Sequence, residues 1–150
     1  MNSGELSPPG VPESLGLEAL VQRFASAQLT RREWKHTTHL QVGAWYVHHL
    51  GKQGALDTLR DSIRRLNERH GTPNSDERGY HETITRAYVE LIADFFTAFG
   101  PGVELEGRVR ALLASPLADR EALLRYWSRE VLFSVEARRG WVAPNLAPLP

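Results

Sequence analysis

The chain has no cysteine among its 150 residues, which excludes disulfides, thiolate nucleophiles and cysteine-held zinc together. Any metal would have to rest on His, Asp or Glu. A charge excess is missing as well. The 18 basic and 18 acidic residues cancel, so no overall field draws the protein to nucleic acid or to an anionic membrane. The basic pairs Arg64-Arg65 and Arg138-Arg139 are short and lie among acids. No apolar run approaches the roughly 18 residues that span a bilayer. The opening residues Met1 to Pro9 have neither the basic start nor the apolar centre of a signal peptide. A cytoplasmic address, with no nucleic-acid and no membrane partner, is the expectation. The phosphate-loop, dinucleotide and hydrolase-elbow motifs G-x-x-x-x-G-K-[ST], G-x-G-x-x-G and G-x-S-x-G are all absent. The loop Asn74 to Gly79 offers oxygen ligands without EF-hand spacing and reads as a turn and helix cap.

Strand-like alternation of β-branched residues is also lacking, and what is present is helical periodicity. A hydrophobic fraction of 41% with 24% charged residues suits one soluble domain. Residues 1–13, rich in Pro, Gly and Ser, predict a flexible N-terminal arm, and 14–150 a single helical domain. Leu17, Leu20, Val21 and Phe24 mark a first helix. Thr30-Arg31-Arg32-Glu33 is a capping box that predicts a second helix from Arg31 to about Leu50, stopped by Gly51. Leu56, Leu59, Ile63 and Leu66 give a third, from about Gln53 to His70. A fourth and most apolar helix spans about Tyr80 to Phe99. Shorter helices follow near Leu105–Ala114 and Asp119–Trp127, with a last turn near Ser134–Arg139. The fold class predicted is all-α: a bundle of four principal helices with shorter C-terminal ones. The end of the chain, Gly140 to Pro150, carries Trp141, Val142, Leu146 and Leu149 among its prolines. Prolines reduce the entropy lost on ordering, so an ordered tail lying across the bundle is expected.

Two polar clusters fall at the starts of apolar helices. His36 and His39, at i and i+3, share a helix face, and imidazole is the commonest metal ligand in proteins. His81 and Glu82 open the fourth helix after a long loop. Neighbouring residues on a helix diverge by about 100 degrees. One division of labour therefore makes His81 a ligand and Glu82 a partner or proton acceptor. If the second and fourth helices adjoin, His36, His39 and His81 hold a divalent metal (Zn, Fe or Ni), and Glu82 is the catalytic carboxylate. Tyr80, Arg86, Tyr126 and Arg129 are the candidate substrate contacts around it, for a small-molecule ligand. Arg129 has an alternative reading as an internal ion pair with Glu121, Glu130 or Glu136, and Glu82 as a partner of Arg86. His48, His49 and His70 sit near helix ends, where cations complement the helix dipole.

The segments Trp34-x-His36-x-x-His39-Leu40, Tyr80-His81-Glu82-Thr83 and Ser134-x-Glu136-Ala137-Arg138-x-x-Trp141 resemble an uncharacterised family of bacterial helical hypothetical proteins. The resemblance covers about Trp34 to Pro150 and implies no activity. Trp34 followed by His39-Leu40 is also similar to the second-helix segment of the DinB-like four-helix metalloproteins, which hold a divalent metal through three His. That family's later His pair, four apart, has no counterpart here, so this likeness implies only an architecture and a metal. The leading expectation is a small helical protein with a His-rich divalent-metal site, which extends to a metal-dependent enzyme on a small molecule. The alternative is a metal-free binding or interaction module in which the same His and Glu side chains form a buried hydrogen-bond network. A homodimer is compatible with either.

Overall fold

Leu17, Val21 and Phe24 repeat at four- and three-residue steps, and in the computed structural model they line the buried stripe of a first helix, α1 (Glu13–Ala25). The structure describes residues 13–150; the expected arm lies, but for its last residue, outside them. The chain is all-α, with 62% helix and no strand among the described residues. None of these helices is long and apolar enough to cross a membrane.

The capping box forms, but it closes a single turn. The Glu33 amide donates to Thr30 Oγ1 at 3.2 Å and the Thr30 amide donates to Glu33 Oε1 at 2.9 Å. Arg23 of α1 forks the same carboxylate at 2.8 and 2.7 Å, which ties the turn to α1 rather than to the helix ahead. Lys35 is then extended (φ −107°, ψ 173°), and the second helix, α2 (His36–Arg69), begins five residues later than the box suggests. Trp34 consequently precedes the helix instead of riding on it, and stacks on Phe24 with ring centroids 4.9 Å apart.

The two helices expected over Arg31–Leu50 and Gln53–His70 fall within α2, separated by one non-helical residue, Gly51 (φ 73°, ψ 178°). A side chain there would meet nothing within 4 Å, so the position requires glycine for its backbone conformation alone. Before the break, Leu40 to Ala44 are buried without interruption, the mark of a segment wrapped on all sides. After it, Ala55, Leu56, Leu59 and Leu66 form one stripe.

The third helix, α3 (Glu82–Phe96), packs along α2 with Ala87, Val89, Leu91 and Ile92 buried. Gly43 lets the two approach: a Cβ at that position would sit 3.1 Å from Ile92 Cδ1. The fourth, α4 (Leu105–Leu113), packs on α1 and α2. Two 3-10 turns, Pro116–Ala118 and Ala122–Arg125, lead to the short helices α5 (Arg129–Leu132) and α6 (Val135–Arg139). The helix expected at Asp119–Trp127 is reduced to the second of those turns. Asp119 Oδ1 accepts the Glu121 amide at 2.8 Å, a local bond that competes with helical winding.

The core has two parts. One joins α1, α2, α3 and α4 around Phe24, Leu40, Leu66 and Leu112. The other gathers Ala87, Leu91, Leu123, Leu132 and the fully buried Trp127. Residues 140–150 form no helix, and their backbone is held by the second part. Trp127 Nε1 donates to Val142 O at 2.9 Å, the Val142 amide donates to Thr83 Oγ1 at 3.0 Å, and the Leu146 amide donates to Tyr126 O at 2.8 Å.

Candidate functional site

At the start of α3 the sequence places a histidine where a helix needs an N-cap. His81 is extended (φ −134°, ψ 109°), and its Nδ1 accepts the Ile84 amide at 3.1 Å. Its other nitrogen, Nε2, donates to Leu132 O at 2.7 Å, joining α3 to the end of α5. One acceptor and one donor define the neutral Nε2–H tautomer. Burial is the main influence on this imidazole and lowers its pKa; the Leu132 bond opposes that effect and the nearby Arg138 adds to it. Both nitrogens therefore serve the fold, and neither presents a lone pair to a ligand.

Glu82 is equally committed. Arg60, one of the polar residues of α2, grips it through Nε at 2.8 Å and Nη2 at 2.5 Å, and the Tyr80 hydroxyl donates to it at 2.7 Å. Burial pushes the carboxyl up, but the Arg60 fork and then the Tyr80 hydroxyl outweigh it, and the net pKa is lowered. Tyr80 moves up in turn, first by burial and then by its bond to Glu82. Arg64 covers the Tyr80 ring at 4.6 Å, and Arg138 donates to Gly79 O at 3.0 Å. The loop before this cluster is locked by Asn74, whose Oδ1 accepts from Asn67 Nδ2 and the Tyr80 amide, each at 3.0 Å. Gly79 (φ 85°) packs so closely there that a Cβ would meet Pro73 O at 2.4 Å.

The other two imidazoles lie elsewhere. Tyr88, which His36 meets edge-on at 5.3 Å, is two turns along α3 from His81, about 10 Å on helical geometry. His36 Nε2 donates to Leu117 O at 2.9 Å. His39 stacks on Trp34 with centroids 3.7 Å apart, extending the Phe24–Trp34 column. No group of three His, Asp or Glu is arranged to hold a metal among the described residues. His36 and His39 share a helix face, but His81 does not join them.

His39 differs from the rest in one respect. Unlike the half-buried His36 and the buried His81, it stays exposed, although the protein around the ring desolvates it. Burial first, and His36 second, lower its pKa. Its ring nitrogens have no hydrogen-bond partner among the described residues, and neither does the hydroxyl of Tyr88. Tyr88 is pushed up to about 12 by burial and by Asp119.

The residues expected to contact a substrate do not converge. Tyr80 faces Glu82, and Arg86 lies 4.3 Å from the Trp141 ring centroid. Tyr126 meets Trp127 edge-on at 6.3 Å and accepts the tail amide of Leu146 at its carbonyl. Arg129 pairs with Glu121 at 2.5 Å on the surface, the internal ion pair of the alternative reading. His70 is the C-cap of α2 and shares a 2.7 Å bond with Leu29 O, so a tertiary contact rather than the dipole alone fixes it. His48 and His49 line an open cleft of about 420 Å³ with Trp45, Glu18, Glu104 and Arg108. Arg60, Arg138 and Thr83 are the network members that periodicity did not mark. Arg60 and Arg138 look like solvated charge in sequence. Thr83 donates to Gly140 O at 2.8 Å, a contact with a segment 57 residues away. No protein-family model, curated protein or solved structure is significantly similar to this chain.

Proposed function

We propose that the protein is a metal-free helical-bundle binding module, with its His81–Glu82 network as the clamp that sets helix docking. One observation carries this reading: both nitrogens of His81 and both oxygens of Glu82 are spent inside the fold. Buried polar groups that hold a fold together are satisfied within it.

Chemical denaturation of variants separates the two roles. His81→Ala removes a cap and strands a buried carbonyl, and should cost about 2 kcal/mol. His39→Phe keeps the stack on Trp34 and removes no hydrogen bond, so it should shift stability by less than about 1 kcal/mol. A loss at His81 no larger than that at His39 would remove the clamp and end the proposal.

A further inference from the structure

Residues 140–150 lie on the molecule as a bound peptide would. Two fully buried residues, Thr83 and Trp127, read the backbone of the segment. Val142 is held at two points: its amide donates to Thr83 Oγ1 at 3.0 Å and its carbonyl accepts Trp127 Nε1 at 2.9 Å. The Thr83 hydroxyl donates in turn to Gly140 O at 2.8 Å. The Trp141 ring is bracketed by Arg86, 4.3 Å from its centroid, and by Trp127, edge-on at 5.7 Å. Asn145 is read reciprocally. The Ser128 amide donates to its Oδ1 at 3.0 Å, and its Nδ2 donates to Ser128 Oγ at 3.2 Å. Main-chain bonds combined with contacts to chosen side chains are how extended peptides are recognised.

The burial is one-sided. The deep atoms belong to the seat, while none of residues 141–150 is buried. An empty seat would leave the Trp127 indole and the Thr83 hydroxyl unpaired, which is costly, so it favours another segment of the same kind. Pro144 and Pro148 limit the entropy lost when such a segment orders. A second copy of the chain carries the identical segment. With 18 basic and 18 acidic residues, no net charge keeps two copies apart. From this geometry we infer that the seat is an exchangeable peptide site whose partner is a second copy, each chain laying residues 140–150 on the other. The inference rests on the binding-module reading and gives it a surface and a partner. Denaturation tests the His81–Glu82 clamp separately, so exchange can fail while the clamp stands.

A synthetic peptide of residues 140–150, titrated into the ¹⁵N-labelled full chain, provides the test. The chain's own segment competes at an effective concentration in the millimolar range, so wild type should bind the peptide only near that level. Asn145→Ala in the chain weakens the competitor and should tighten peptide binding about tenfold. The same substitution in the peptide should weaken binding about tenfold. That arm leaves the chain intact and reads the seat even if the chain variant does not fold. The amide signals that move should centre on Thr83, Trp127 and Ser128. Sedimentation of the wild-type chain at millimolar concentration should show a dimer that excess peptide dissolves. Equal affinity for the wild-type and Asn145→Ala chains would place the peptide elsewhere and overturn the inference. Absence of binding to either chain would make the segment a fixed part of the fold, with the same result. Peptide binding without any dimer would remove the second copy as partner and overturn it too.

Discussion

His81 has a pair of hydrogen bonds that only an imidazole of its size can span, from the Ile84 amide at 3.1 Å to Leu132 O at 2.7 Å. Asparagine would keep the cap and lose the second bond, so His81→Asn should recover about half of the loss caused by His81→Ala. The same geometry has a pH signature. Burial lowers this pKa below the ordinary 6.5, so between the two values the unfolded chain binds the proton and the folded one does not. The contribution is therefore whole above about 6.5 and is lost as pH falls through the lowered folded value. Arg138, which acts on the same ring, adds to the cost of protonation. His39 and His48 are also lowered and act with the same sign. The informative quantity is thus the wild type minus His81→Asn difference in unfolding free energy. It should shrink with acidification below 6.5, and a difference that is flat with pH would contradict the neutral capped imidazole.

At the scale of elements, Arg60 and Glu82 hold α2 against α3. Arg60 keeps 34% of its side chain exposed and Glu82 only 10%. The solvent screening on the Arg60 side brings the pair below the cost of breaking a fully buried one, to about 2 kcal/mol for Glu82→Gln. A double-mutant cycle with Arg60→Met should return a coupling of at least about 1 kcal/mol. The surface pair Arg129–Glu121 should return less than about 0.5 kcal/mol by the same measurement. Equal couplings would remove the clamp from the α2–α3 interface. Much of the element pattern was legible in the chain. The leucine spacing marks α1 and α2, Gly51 marks the break, and the apolar run marks α3, because burial of one stripe dictates where those residues recur. The start of α2 was not legible. The capping box is a local signal, and the Arg23 fork on Glu33 that detaches it from the helix joins residues ten apart.

Across the whole molecule, the parts that sequence could not place are those made by contacts between distant segments. His81 and Leu132 O, Thr83 and Gly140 O, and Trp127 and the carbonyl of Val142 meet only after the chain has returned past α3. Reading His81 and Glu82 as chemistry-bearing residues was reasonable on composition. Their partners, a backbone carbonyl and a distant Arg60, leave no periodic trace. His36 and His39 were legible as a pair on one face, whereas their separate partners, Leu117 O and the Trp34 ring, were not. Two separate clusters, His81 and Glu82 at the start of α3 and His36 against Tyr88, replace one shared centre. The most direct test is a zinc titration of the full chain followed by histidine ring ¹⁵N signals at neutral pH. We expect His81 to keep the chemical shifts of a neutral Nε2–H imidazole throughout, unmoved by equimolar zinc, because both its nitrogens are already bonded within the fold. Stoichiometric zinc that shifts His36, His39 and His81 together would show the three imidazoles meeting at one ion and would contradict the arrangement described.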